Sequence, residues 1–407
     1  MLLPLRAHHP ARSLCRPLTN KARDRPSGLL LRSRVPLRLP VTSAVPAGAQ
    51  SSIYARRFAT TPTARMSLPS KISAIGINKT GDFDVIEKLE LPFPQNAPGN
   101  VLIKVQYGGV NFIDTYFRKG LYPISQFPQA LGREAAGEVI ALPTDESVLS
   151  NEEYKLRGLK VGARVAANTL GAFSEYVSVP WNKVYALPEH LSTRVAAASL
   201  LQGATALTFV TEAYNVQKGD VVLVHTVAGG LGLIFAQLIK ARGATVIGTT
   251  STPEKAALAK AHGADHVILY TKEDLVQRVL ELTNGEGVHA IFDGVGKDTF
   301  EADLKVIRRK GTLVSVGNAS GAVPPFPPLR LVEKNVKLLR PTLDNYIYTP
   351  EEGRTYVTEL FKLIENGTVK INIHGDYPFT AEGVQQSQKD LTGGKTTGKL
   401  LIKISDA

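Results

Sequence analysis

Val221-Val-Leu-Val224, then His225-Thr-Val-Ala-Gly-Gly-Leu-Gly232, then Leu233-Ile-Phe-Ala-Gln-Leu-Ile-Lys240 is the stretch on which the fold turns. A short aliphatic run without polar alternation reads as a strand buried on both faces. It breaks at a glycine-rich turn, after which apolar residues recur at helical spacing. Glycines at such a junction let backbone N–H groups approach a pyrophosphate with no Cβ in the way, and the N-terminus of the following helix favours negative charge. Val227 stands where the general dinucleotide fingerprint has its first glycine, so Gly229, Gly230 and Gly232 carry the argument by their place between strand and helix. The plainer alternative is a packed glycine turn. Val221 to Ile239 is also uncharged and long enough to raise a membrane span, but His225, Gln237 and the glycines separate two differently patterned halves. A buried strand, turn and helix explain it better.

Working outward, Thr245 to Gly248, His266 to Leu269, Ala290 to Phe292 and Thr312 to Val316 read as further strands separated by helical stretches. This alternation predicts βαβ units around a doubly wound parallel sheet with helices on both faces. At the tip of its second strand the chain reads Gly248-Thr-Thr-Ser-Thr-Pro-Glu-Lys255, with no Asp or Glu for a ribose 2′-hydroxyl. Ser251, Thr252 and Lys255 suit a 2′-phosphate instead, which favours NADPH; the alternative is an N-capped helix with a solvated lysine. Tyr270, closing Val267-Ile-Leu-Tyr270, is placed to cover the adenine side.

Upstream, Lys71 to Leu187 holds short β-rich runs broken by Pro and Gly, such as Val101 to Tyr107 and Ala172 to Val177. Leu142 to Lys160 is polar and reads as a solvated insertion between strands. Downstream, helices at Glu351 to Glu365 and around Ala381 to Leu391 and a last strand, Lys399 to Ile404, are expected to return to the first domain. No internal repeat is present.

The 407 residues, 43% hydrophobic and 21% charged, suggest two domains plus an extra segment. The formal charge of +12 is a property of one end. Residues 1–65 hold 11 Arg and one Lys against the single acid Asp24, a net +11. The remainder holds 36 basic and 35 acidic side chains, a net +1, which gives no global reason to expect a polyanion partner such as RNA. An Arg-rich, acid-poor leader of this kind matches a mitochondrial presequence directing the protein to the matrix, with Arg56 to Ala59 as a processing neighbourhood. Met66 opens a second start that would leave a complete cytosolic form. Cys15, the only cysteine, lies in the leader. The chain from Met66 onward therefore has no intrachain disulfide, thiol nucleophile or Cys-ligated metal.

With these residues in place, the chain resembles the zeta-crystallin-like quinone oxidoreductases of the medium-chain dehydrogenase/reductase superfamily. The resemblance spans about Lys71 to Ile404 and rests on Val110-Asn-Phe-Ile-Asp-Thr-Tyr-Phe-Arg-Lys-Gly-Leu-Tyr-Pro123, Ala228 to Gly232, Ser315 to Ala322 and Leu339-Arg-Pro341. It implies an α/β protein: a GroES-like β catalytic domain (66–202 and 340–407) wrapped around a Rossmann NADPH-binding domain (203–339), behind the presequence 1–65. Carried over residue by residue, the cofactor contacts fall on Phe112, Ile113, Asp114, Thr115 and Tyr116, and on Gly229, Gly230, Leu231 and Gly232. They continue through Ser251, Thr252, Lys255, Tyr270 and Gly294, then Val316, Gly317, Asn318 and Ala319, and end at Leu339, Arg340 and Pro341. A family tyrosine contact falls on Thr208 and a basic contact on Gly394, where Lys395 is the nearest substitute. Zinc-dependent relatives carry Gly-His-Glu where this chain has Gly132-Arg-Glu134, so no metal is expected. His262 and His266 span a helix end and read as structural.

Without a metal, the protein's work is to hold the dihydronicotinamide against an electrophilic acceptor and exclude water. A quinone or enone develops negative charge on oxygen as it is reduced, so donors in the cleft stabilise it. By resemblance the candidates are Asn111, Tyr116 and Tyr122, each with a packing or capping alternative. The competing readings are a mitochondrial 2-enoyl thioester reductase, which needs a groove for a long acyl arm, and a non-enzymatic AU-rich RNA-binding role. Dimers or tetramers are what the resemblance implies for assembly.

Overall fold

The computed structural model describes residues 68–406. The readings of 1–65 as a leader, of Cys15 and of Met66 lie outside them. Six strands form one all-parallel sheet in the spatial order His266–Leu269, Thr245–Thr250, Val221–Val224, Val288–Asp293, Ile307–Ser315, Lys337–Leu339. Counted along the chain this is the order 3-2-1-4-5-6 of a doubly wound dinucleotide fold, and the order reverses between Val221–Val224 and Val288–Asp293. A crevice therefore opens beyond the carboxyl ends of these two strands, where the glycine-rich turn lies. Val222, Leu223 and Val224 are buried on both sheet faces, as an uninterrupted aliphatic strand requires.

A second, mostly antiparallel sheet of seven strands is built around the long strand Asn100–Val110. The last strand, Lys399–Lys403, pairs antiparallel with it, so the chain returns to its first sheet after completing the parallel one. The 16-residue helix Thr193–Thr208 packs on the seven-stranded sheet and against the helix Gly230–Ala241. Ala196, Ala197, Ala198, Ala204 and Ala206 are buried and let the helix pack closely, and a Cβ on Gly203 would lie 2.6 Å from Leu360 Cδ1. Among the described residues, no helix is long and apolar enough to cross a membrane.

Two local expectations are corrected. Within Ala172-Phe-Ser only Ser174 pairs, in an isolated antiparallel bridge to Ala74, and the strand begins later, at Tyr176–Pro180. Phe173 is fully buried against Gly108 and Gly132, its N–H donates to Leu131 O at 2.8 Å and its carbonyl accepts from Ile75 N–H at 2.8 Å, so side chain and backbone both tie the segment to the core. The polar segment Leu142 to Lys160 is not merely solvated. It forms the short helices Glu146–Leu149 and Glu152–Leu156, capped by Asp145 and Asn151, and buries Val148 and Tyr154. Tyr154 meets Trp181 edge-on at 5.6 Å. With Leu159, three buried apolar residues among many charges dock it, and that is too few to create a readable periodicity.

Candidate active site

The glycine turn is positioned from below by a buried polar cluster. His225 Nε2 meets Asp303 Oδ1 at 2.8 Å and Nδ1 meets Thr249 Oγ1 at 3.1 Å. Burial pulls the imidazole pKa down, but the carboxylates of Asp303 and Asp293 outweigh it and hold His225 above its ordinary value. Thr226 then takes φ 53°, a conformation rare for a branched residue, and its carbonyl accepts from Gly229 N–H at 2.9 Å. A Cβ on Gly232 would lie 2.5 Å from that carbonyl, and one on Gly230 would collide with Gln202 Oε1. The helix Gly230–Ala241 starts here with no side-chain cap, so its first N–H groups face the crevice.

One cleft of about 530 Å³ runs from this turn in both directions. Toward one end lie Ser251, Lys255 and Tyr270. Thr252 does not line it; its hydroxyl caps the helix Pro253–Ala261 by accepting Lys255 N–H at 3.3 Å. Lys255 Nζ reaches across to the carbonyl oxygen of Gly394. The middle is walled by Gly294, Val316, Gly317, Ala319, Arg340 and Pro341, whereas Leu339 lies in the edge strand behind them. Arg340 Nη1 donates to Ser315 O at 2.6 Å.

The short helix Phe112–Arg118 closes the other end. It is anchored by Arg118, whose buried Nε donates to Gln388 Oε1 at 2.7 Å and Nη1 to Gly81 O at 2.7 Å. Asp114 caps it from inside, accepting Asn111 N–H at 2.7 Å, and burial pushes the Asp114 carboxyl up to about 7. Asp114 and Thr115 face the core; Phe112, Ile113 and Tyr116 line the cleft. Tyr116 Oη accepts the Asn318 N–H at 3.0 Å, leaving its own proton free to donate, and burial holds its pKa above the usual value. Tyr122 meets Tyr116 edge-on at 5.5 Å and also lines the cleft.

Asn111 is different from the two tyrosines. Its Nδ2 donates to Gly109 O at 3.2 Å and Glu134 Oε1 at 2.8 Å, and its Oδ1 accepts from Lys399 Nζ at 2.7 Å. The amide is engaged on every side, which corrects the expectation that it donates to an acceptor. Thr208 is likewise misplaced: it is buried, bonded to Ala204 O at 2.8 Å, while Thr205, one turn earlier, lines the cleft. Gln202, Phe209, Arg133 and Asp344 also line it without having been anticipated. Only helical spacing from Leu201 would have pointed to Thr205; Arg133 stood out only as the replacement of a metal-binding histidine, and Gln202, Phe209 and Asp344 carried no signal.

The position where zinc-dependent relatives bind their metal does not fit a cation. Glu134 accepts from Lys399 Nζ, from Asn111 and from Leu201 N–H at 2.7 Å, with both ionic side chains fully buried. Arg133 donates from Nη2 to Asp344 Oδ2 at 3.0 Å. Two fixed cations stand where ligands would be needed. Among the described residues, the one cluster with metal-ligand spacing is His225, Asp293 and Asp303, which lies beneath the glycine turn with its histidine already paired.

Residues 97–189 match the alcohol dehydrogenase GroES-like domain and residues 230–362 the zinc-binding dehydrogenase family. A probable quinone oxidoreductase of Schizosaccharomyces pombe is 39% identical over 329 residues, covering 81% of this chain and 96% of that protein. The chain belongs to the quinone oxidoreductase family. It shares the medium-chain dehydrogenase/reductase fold, a GroES-like domain with a Rossmann-like one. The structure of the Escherichia coli quinone oxidoreductase complexed with NADPH superimposes with a TM-score of 0.76 at 36% identity, over 81% of this chain and 99% of that one. A 2-haloacrylate reductase from Burkholderia is 31% identical over 81% of this chain and 98% of its own length. Where zinc-dependent relatives place their ligand motif, this quinone oxidoreductase family member offers Arg133 and a Glu134 already engaged by Asn111 and Lys399.

Proposed function

We propose that the chain is a zinc-independent, NADPH-dependent reductase of quinones and α,β-unsaturated carbonyls. The observation that carries this reading is the single cleft joining an uncapped glycine-rich helix start to the Tyr116 and Tyr122 pair, with cations filling the metal position. The residues fit the cofactor. Gly230 and Gly232 permit the tight turn, where a Cβ would strike Gln202 and the Thr226 carbonyl, so that the uncapped helix start reaches the crevice, and Lys255 stands at a strand end that carries no carboxylate. The quinone oxidoreductase relatives support the quinone acceptor, and the haloacrylate reductase, by its name, supports an activated alkene.

When bound, NADPH supplies a hydride from its nicotinamide; the acceptor takes this and a proton to become a hydroquinone or a saturated carbonyl. Tyr116 is held by the Asn318 N–H so that its O–H is free to meet the acceptor oxygen. Tyr122, packed on its edge, supplies a second hydroxyl to the same region. Lys255 would hold the 2′-phosphate, exchanging the Gly394 carbonyl for it. Residues 1–65 act as a mitochondrial presequence in this reading, supported by their +11 charge alone.

The test follows NADPH oxidation with a quinone, a short alkenal and an enoyl thioester. Turnover of the first two with little of the third is expected. Preference for the thioester would move the chain to the acyl reductases, and no turnover of any would remove the enzymatic reading.

A further inference from the structure

Arg133 is a charged feature of the cleft that the proposed hydride transfer leaves unused. Its side chain is 15% exposed and lines the cleft. Nη2 is held by Asp344, and Nε is buried without a partner. Nη1 is therefore the accessible guanidinium nitrogen, and it has no acceptor among the described residues. Asp344 is itself oversubscribed. Besides Arg133 it takes a hydrogen bond from Asn168 Nδ2 at 3.0 Å and an ion pair from Lys183 Nζ at 3.6 Å. Two cations thus share one carboxylate, leaving a formal charge of +1. Glu134, next in the chain, gives no relief because Lys399 already neutralises it.

A fixed positive charge with a free, planar N–H in a largely apolar cleft is a recognition element for a carboxylate or sulfonate. We propose that Arg133 makes this cleft selective for acceptors carrying an anionic group beside the reducible bond, with Asp344 as the carboxylate that holds the guanidinium in place and tempers its charge. This rests on the reductase reading and adds the acceptor class to it. Arg133 touches the substituent of the acceptor, so it governs specificity and is separate from the tyrosines that meet the reducible oxygen.

The experiment compares kcat/KM for 1,4-naphthoquinone and 1,4-naphthoquinone-2-sulfonate, each as a ratio of variant to wild type so that the intrinsic reactivity of the two quinones cancels. Arg133→Gln should lower the sulfonate-to-neutral ratio by about tenfold or more, the loss of one charge-assisted hydrogen bond, mainly through KM. Asp344→Asn, which removes a negative charge and keeps an acceptor for Arg133, should raise the ratio. Rising salt should narrow the wild-type preference. An unchanged ratio in an Arg133→Gln enzyme that still reduces the neutral quinone overturns the proposal, as does a fall in the ratio with Asp344→Asn. If Arg133→Gln does not fold, Asp344→Asn decides alone. Failure of the wild type to reduce even the neutral quinone would instead overturn the reductase reading.

Discussion

Tyr122 and Asp114 show how differently two residues of one sequence block work. Tyr122 lines the cleft, and in the proposed mechanism its hydroxyl meets the acceptor and not the dinucleotide. Replacing it with Phe keeps the ring that packs on Tyr116 and Phe117 and deletes only that donor. Tyr122→Phe should lower kcat/KM for a quinone by roughly 10- to 100-fold, below the loss for a fully enclosed oxyanion donor because the site is open, with the Kd of NADPH unchanged. Steady-state kinetics beside a binding titration checks it, and equal turnover would leave Tyr122 a packing residue.

Asp114 never meets the cleft, yet it sets a pH dependence. Burial pushes its carboxyl up to about 7 against an ordinary 3.8, so between those values the native state holds a proton that the unfolded chain has lost. Stability from this group therefore falls as pH rises from about 4 to about 7 and is level above, with a total on the order of 4 kcal/mol as an upper bound. Asp114→Asn keeps an oxygen for the Asn111 N–H and cannot ionise. Its Tm relative to wild type should be higher at pH 8 than at pH 5. A constant difference at both pH values would mean that Asp114 stays ionised throughout.

Among elements, the helix Pro253–Ala261 bears the test of cofactor choice. Thr252 caps it and Pro253 opens it, so its start forms without help from the Lys255 side chain. Lys255→Ala should then weaken NADPH binding by roughly 10- to 150-fold, the worth of a charge-assisted contact, while NADH loses little. The contact between Lys255 and the Gly394 carbonyl supplies the competing outcome. If that bond matters more as a strap across the cleft, both cofactors will weaken together. The short helix Phe112–Arg118 is held by longer-range means, through Arg118 under the ring of Phe83 at 4.3 Å and bonded to Gln388, 270 positions away. A local reading of that helix finds its start at Asn111 and misses what orients it.

At the scale of the whole molecule, the helix Thr193–Thr208 joins the seven-stranded sheet to the helix that follows the glycine turn, and two cations, Arg133 and Lys399, occupy the position of the relatives' metal. Breaking a buried pair such as Glu134 and Lys399 costs about 3 to 5 kcal/mol, so a metal could not claim that carboxylate cheaply. Activity should accordingly survive exhaustive chelation. Stoichiometric zinc in the purified protein, with activity lost on its removal and regained on its return, would contradict this.

The parallel sheet, the glycine turn, the missing strand-end carboxylate and the lack of any cysteine beyond Cys15 were all legible in the sequence. Each is a local pattern, because strand and helix period, turn chemistry and composition act over a few residues. Which side chains are free to act was decided by tertiary structure. Asn111 is spent on Glu134 and Lys399, 23 and 288 positions away, and Tyr116 is oriented by Asn318, 202 positions on. Arg133 acquires its carboxylate from Asp344, 211 positions distant. No periodicity encodes such pairings. They follow from where the returning chain crosses the cleft, and there a buried polar atom must take whatever partner the packed sheets bring within reach.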